Sequence, residues 1–323
     1  MKLYILGTAS AFPTKKRNHP GIFMKYLDKG ILFDAGENIQ RQMRIAGLSP
    51  TDIDIILITH WHGDHMLGLP GILFSLSNME YKRELNIILP RENFEDFYKL
   101  MDGLNIPIEF NINLIEAKNG LIYEDDKFEI YGIETRHSVK SFSYYFKEKE
   151  YIKIDKEKLR YYNLSVNQIK KIKKGEKIFY NGKEIDFNDI GYIRKGIKIS
   201  YITDTIFFED LIKFAENSTI LICESTFFFD PEKAKEHYHM DFTEVLKLYL
   251  ESKSKILLLT HFSQRYEEEL DKIKKDIEEK YDDVYILNDF DRIEIEKNII
   301  SLYLSNKLVK YKFDEKTGYV LRI

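Results

Sequence analysis

Ile53-Asp54-Ile55-Ile56-Leu57-Ile58 runs straight into Thr59-His60-Trp61-His62-Gly63-Asp64-His65, and this junction decides the fold. The first six residues are the near-continuous apolar run expected of a strand buried on both faces of an α/β sheet. Ligands of such sheets collect beyond the carboxyl ends of the strands, where His60 stands. The heptapeptide then places three imidazoles and a carboxylate within six positions. In a tight loop His60 and His62 can converge on one cation. Asp64 and His65, beyond the permissive Gly63, can turn toward a second. A helix-borne zinc motif would space its histidines one turn apart, as in H-E-x-x-H. Nitrogen-rich ligation favours zinc, with manganese or iron as alternatives.

The same pattern recurs along the chain. Gly30 to Phe33 ends in Asp34, Phe128 to Arg136 in His137, Ile199 to Thr203 in Asp204, and Ile256 to Thr260 in His261. With the run before His60, five expected strands each deliver a potential ligand or ligand support at the carboxyl end. A lone His137 or His261 would be an ordinary structural histidine, but five coincidences of placement indicate one shared site. Helical periodicity over Asn38–Ala46, Asn93–Met101, Phe242–Glu251 and Glu267–Lys280 alternates with these strands, which indicates layered α/β architecture. At 323 residues, a single large sandwich suffices.

Net charge is only −4, but its distribution is uneven. From Lys147 to Lys183 twelve Lys/Arg face five Asp/Glu, a local balance of +7 that leaves −11 for the remainder. Alone, such a run is usually a solvated face. Residues 147–196 interrupt the strand–helix alternation, with a short helix expected through Val166–Lys174 and turn signals at Gly175 and Asn181-Gly182. The segment reads as a lysine-rich arm inserted into a core of residues 1–295. Residues 296–323 read as an extension with two short strands around Asp314-Glu315-Lys316-Thr317-Gly318 and no assignable role. The single cysteine, Cys223, lies in an apolar run, excludes an internal disulfide framework and fits a reducing cytoplasm. The apolar start Leu3 to Leu6 is broken by Gly7-Thr8 and reads as a first strand, not a signal peptide. No segment is long enough to span a membrane.

The cluster His60-Trp61-His62-Gly63-Asp64-His65, with His137, Asp204 and His261 downstream, resembles the metallo-β-lactamase superfamily of hydrolases. Narrower motifs resemble its ribonuclease Z branch. Pro13-Thr14-Lys15-Lys16-Arg17-Asn18 is similar to that family's PxKxRN loop. Glu224-Ser225-Thr226-Phe227 looks like its HEAT-type segment, with Cys223 in place of the leading histidine and Ser225 in place of the alanine. His239-Met240-Asp241 occupies the place of its HST motif and keeps only the histidine. Chemistry alone does not rank His237 against His239; the motif selects His239. In the bacterial members the arm carries a Gly-Pro motif, whereas here the stretch reads Leu164-Ser165-Val166-Asn167-Gln168, a departure that bears on substrate grip and not on catalysis.

The resemblance implies an αβ/βα four-layer sandwich carrying two Zn²⁺ (or Mn²⁺) per subunit, a homodimer, and a cytoplasmic endoribonuclease that removes the 3′ trailer of precursor tRNA. It assigns His60, His62 and His137 to one cation and Asp64, His65 and His261 to the other, with Asp204 between them. Asp64 would also orient or deprotonate water, and Asp34 would hold a ligand histidine from behind. His239, oriented by Glu224, would be the general acid. Lys15, Lys16, Arg17 and Asn18 of the loop, and Lys170, Lys171, Lys173 and Lys174 of the arm, would meet RNA phosphates, with His19 as a possible assistant. Two alternatives stay open at this point: a phosphodiesterase of the same superfamily acting on short or cyclic nucleotides, and a metal-bound RNA-binding module without catalysis.

Overall fold

The computed structural model describes residues 1–305 and 307–323. Two mixed sheets lie face to face. One has ten strands and the other seven. The run Ile53–Ile58 shows how the layers form. Only Ile55–Leu57 keeps full strand pairing, lying parallel to Lys29–Phe33 on one side and to Leu85–Leu89 on the other. Ile55 and Leu57 point into the core shared by the two sheets, whereas Ile53, Ile56 and Ile58 point into a second core under the helices. Alternation with period two therefore feeds two apolar layers at once, which is why the sequence shows no polar face.

Helices Ile39–Ile45, Leu69–Asn78 and Phe94–Gly103 supply side chains to that outer core. Asp210–Ala215, Phe242–Glu251 and Leu270–Lys280 do the same behind the seven-stranded sheet. The order helix, sheet, sheet, helix is the expected four-layer sandwich. Expected helices shift only at their ends. A 3₁₀ turn at Gln264–Tyr266 precedes the Glu267–Lys280 run, whose α-helix spans Leu270–Lys280.

Strands Ser141–Glu148 and Lys198–Ile202 pair antiparallel in the second sheet, and the segment between them leaves the sandwich. Its ends, Tyr151–Ile154 and Gly191–Arg194, form a two-stranded stem. Beyond the stem lie helices Lys156–Tyr162 and Val166–Lys173 and the hairpin Ile178–Tyr180 with Lys183–Ile185. Ile172, Ile178, Ile185 and Ile190 give it a small core of its own. The stretch that departs from the Gly-Pro pattern is a helix start here. Ser165 accepts from the backbone N–H of Gln168, and Gln168 returns the contact to Ser165.

Beyond Glu296 the chain forms three strands and not two: Ile299–Leu304, Lys307–Phe313 and Val320–Arg322. They extend the ten-stranded sheet outward from Arg292–Glu296, which itself pairs with the first strand, Lys2–Gly7. Among the described residues no helix is long and apolar enough to cross a membrane.

Candidate active site

The five strand ends meet at one edge of the sandwich, where the sheets are bonded to each other. Phe142 N donates to Thr59 O (2.9 Å), Tyr144 OH to Ile58 O (2.8 Å) and Tyr201 OH to Asp34 Oδ2 (3.0 Å). The heptapeptide is not a plain loop. His62 is extended and Gly63–Met66 makes one helical turn that presents Asp64 and His65 together. Asp34, Asp204 and His261 adopt left-handed backbone conformations, with φ of 55°, 49° and 63°. Non-glycine residues hold that conformation only where their surroundings fix it, and here it bends each chain abruptly at its strand end.

The donor atoms form two sets. His60 Nε2 lies 2.9 Å and His137 Nε2 3.2 Å from His62 Nδ1. Asp204 Oδ2 lies 3.7 Å from His60 and 3.8 Å from His137. In the second set His65 Nε2 and His261 Nε2 are 3.2 Å apart, Asp64 Oδ2 is 3.4 and 3.7 Å from them, and Asp204 Oδ1 is 3.4 and 3.2 Å from them. Two tetrahedral ligands about 2.0–2.1 Å from one cation sit roughly 3.4 Å apart, so both sets have the spacing a cation needs. Asp204 gives one carboxylate oxygen to each.

The protons agree with that use. His65 Nδ1 and His137 Nδ1 face acceptors that cannot donate, Asp34 Oδ2 (2.9 Å) and Tyr238 O (3.1 Å). Thr59 Oγ1 spends its proton on Asp34, so it accepts from His60 Nδ1 at 3.1 Å. Thr226 Oγ1 spends its own on Glu224 Oε2 (2.5 Å) and accepts from His261 Nδ1 at 2.8 Å. In its neutral form each of these four rings therefore carries its hydrogen on Nδ1 and turns an Nε2 lone pair inward, the form that binds a metal. The donor set fits divalent cations.

Electrostatics point the same way. Burial, then the neighbouring His65, pushes the His60 imidazole well below the ordinary histidine range. Burial opposes a charge on His65, but Asp204, Asp64 and Asp34 outweigh it and hold that imidazole well above the range. Burial would raise Asp204 and Asp64. His261 and His65 hold Asp204 low, and His65 and His261 hold Asp64 low. The edge is a nest of carboxylates whose positive partner is a proton or a cation.

Beside it, His239 Nδ1 bonds Glu224 Oε2 at 2.9 Å, and Glu224 Oε1 accepts from Thr205 N at 2.8 Å. Burial works against the His239 cation, but Glu224 prevails and lifts the pKa to about 9. Geometry separates the two histidines that chemistry could not rank: His237 is exposed and stacks on Phe227, away from Glu224. The Thr226 hydroxyl, which touches Glu224, His239 and His261, carries a role that its place in the Glu224–Phe227 segment does not by itself assign.

The basic loop divides in two. Lys15 and Lys16 are exposed and line a cleft of about 630 Å³ with Arg41. Arg17, expected to reach phosphate, is instead buried. Its guanidinium donates to Thr8 Oγ1 (2.6 Å), Leu287 O (2.8 Å) and Asn288 Oδ1 (2.7 Å), and it lies over the Phe262 ring. Asn18 is likewise held, to His19 O and Glu37 O. His19 is buried against Ala11 O. These residues brace the loop, and a side chain at Gly36 would strike both His19 Cβ and Asp64 O at 2.6 Å, so the end of the loop and the heptapeptide both close on that glycine. In the inserted segment Lys170, Lys171, Lys173 and Lys174 are all exposed around the buried Ile172.

The chain is 45% identical to ribonuclease Z of Nanoarchaeum equitans, across 96% of the chain and 98% of that relative. It is 33% identical to ribonuclease Z of Methanococcus maripaludis strain C5, across 96% and 100%. The chain belongs to the ribonuclease Z family. The model of a second family, described as "Anti-Pycsar protein Apyc1", matches residues 1–179, a stretch that ends inside the inserted segment before Asp204, Glu224, His239 and His261. The ribonuclease Z relatives span those residues as well. The fold is that of human tRNase Z, short form, with a TM-score of 0.68 at 23% identity over 92% of the chain and 100% of that protein. Its metallo-β-lactamase architecture is shared with YhfI from Bacillus subtilis, TM-score 0.64 at 17% identity over 90% and 98%.

Proposed function

We propose that this ribonuclease Z family member is a metal-dependent endoribonuclease that removes the 3′ trailer from precursor tRNA, leaving a 3′ hydroxyl on the tRNA and a 5′ phosphate on the trailer. The observation that carries the reading is the pair of donor sets with Asp204 between them, 3.7 and 3.8 Å from His60 and His137 and 3.4 and 3.2 Å from His65 and His261, in a chain 45% identical over 96% of its length to a ribonuclease Z. His60, His62 and His137 would hold one cation, and Asp64, His65 and His261 the other. Two Zn²⁺ per subunit suit this nitrogen-rich set, and Mn²⁺ is the alternative. When bound, such cations lower the pKa of water and offset charge on the phosphodiester.

The chain's own groups do the rest. Asp64 orients the attacking water or takes its proton. His239, kept cationic by Glu224, gives a proton to the departing 3′ oxygen. Asp34, Thr59 and Thr226 hold the ligand imidazoles in one tautomer. Lys15 and Lys16 bind phosphates near the cut, while Arg17 and Asn18 set the loop's shape. Residues 1–295 act as the catalytic unit, and segment 147–196 is an RNA-binding arm whose Lys170, Lys171, Lys173 and Lys174 meet backbone phosphates farther away. The protein works in the cytoplasm as a homodimer.

The test supplies zinc-replete protein with a precursor tRNA bearing a 3′ trailer and, separately, with a small chromogenic phosphodiester. Cleavage of the precursor to a 3′-hydroxyl tRNA is expected. Hydrolysis of the small diester alone would replace this reading with a nucleotide phosphodiesterase, and cleavage of neither with a binding module.

A further inference from the structure

A cavity of about 450 Å³ opens beside His239 and is not used by the chemistry above. Its inner wall is His239 with Thr226, the same pair that borders the second donor set. Its floor is Phe227, whose ring is stacked nearly parallel to His237 (12° between planes, centroids 5.8 Å apart) and capped by the Arg265 guanidinium at 4.7 Å. Phe12, 61% exposed, stands on the rim, and Gln264 offers amide donors and acceptors along the wall. An exposed aromatic ring, a π-stacked imidazole and a guanidinium plane around a polar-edged slot are the surfaces that take a flat heteroaromatic group.

The identity of that group follows from the direction of the reaction, and so rests on the proposed function. Attack by water on phosphorus breaks the bond to the 3′ oxygen, which leaves with the proton from His239, while the phosphate stays on the 5′ side of the trailer. The nucleoside next to His239 is thus the one that keeps its 3′ hydroxyl. We propose that this cavity binds the base of the last tRNA nucleotide, with Arg265, His237 and Phe12 as its contacts. The site stacks one base and holds the leaving 3′ oxygen against the acid.

The test is a coupling experiment on the zinc-loaded enzyme. Single-turnover cleavage of precursor tRNA is compared with that of the same RNA made abasic at its last tRNA position, for wild type and for Arg265→Ala, with His237→Ala as the second variant should the first fail to fold. Wild type should lose on the order of tenfold or more in kcat/KM on the abasic RNA, the range expected for one base–aromatic stack. The variants should lose a similar factor on intact RNA but little more on the abasic RNA. Equal wild-type rates on the two RNAs, or losses that simply multiply, would overturn the assignment while leaving trailer removal intact. A wild-type enzyme that cuts neither RNA yet hydrolyses a small phosphodiester overturns both readings, because the cavity then has no nucleoside to hold.

Discussion

At the edge where the sheets meet, the polar groups are buried and answered one by one, whereas the lysines of segment 147–196 beyond its stem face water. His60, His65, Asp34 and Glu224 are all fully buried, and each has a hydrogen-bond partner that fixes its orientation. The segment's core is four isoleucines, and its four clustered lysines are exposed. The edge depends on position to within fractions of an ångström, because metal ligation and proton transfer decay steeply with distance. On the proposed reading the arm would work through charge, which acts over a Debye length of about 8 Å at physiological salt and tolerates loose placement. Substitutions in the two regions should therefore fail differently, one in rate and the other in affinity.

The largest effect belongs to the edge. Asp64→Ala should lower turnover on the order of 10³-fold or more while leaving RNA affinity within a few-fold, measured by single-turnover cleavage and by filter binding of uncleaved precursor. Near-wild-type cleavage by this variant would remove Asp64 from the mechanism. His239→Ala comes next, at about 10²–10⁴-fold in kcat. In the proposed mechanism the protonated imidazole is the active form, and Glu224 lifts its pKa to about 9, so wild-type activity should fall as pH rises through about 9. The variant should lack that alkaline limb. A profile that keeps it in His239→Ala would assign the acid to another group.

How much of this was readable from sequence follows the same division. The heptapeptide announced itself because its donors are adjacent in the chain, and Asp34, His137, Asp204 and His261 because each ends an apolar run. The hydroxyl bridges of Thr59 and Thr226 stayed hidden, since a threonine's partner is decided by which strand ends lie side by side. The inward turn of Arg17 was equally hidden: two of its three acceptors, Leu287 O and Asn288 Oδ1, lie some 270 residues away. A basic tripeptide read locally shows three free cations, while the fold spends one of them on its own packing. The C-terminal strands were likewise underread, because their place in the ten-stranded sheet depends on Arg292–Glu296 pairing with the first strand of the chain.

On the arm the expected losses are smaller and of another kind. Replacing Lys170, Lys171, Lys173 and Lys174 together by Ala should raise KM for precursor tRNA about tenfold at moderate salt and change kcat less than twofold. The dependence of log affinity on log salt should flatten, by up to roughly 0.7–0.9 for each phosphate contact removed. An unchanged salt slope would show that these lysines are only a solvated face.

The smallest effect tests how the two regions are joined. Glu315, in the turn before the last strand, is buried and accepts from Lys153, from Tyr192 OH (2.8 Å) and from Arg194 Nε (2.9 Å), while its backbone carbonyl accepts from Lys195 N (2.7 Å). The donor residues belong to the arm's stem or directly follow it, so the C-terminal strands fix the stem to the sandwich. Burial raises the Glu315 carboxyl, but Lys153, Arg194 and Tyr192 overcome it and bring the pKa from 4.5 to about 2. A carboxyl depressed in the folded state contributes stability that is complete above about 4.5 and lost as pH falls toward 2. Protection of the Tyr151–Ile154 and Gly191–Arg194 amides, taken relative to their intrinsic exchange rate at each pH, should therefore fall across that window before the sandwich core opens. Glu315→Gln should show the lowered protection already at neutral pH, with KM for precursor tRNA raised about threefold. Stem exchange in the variant equal to wild type would mean that the arm's placement rests on the stem's own pairing and the Arg194–Glu148 ion pair (2.7 Å), leaving the tail no part in it.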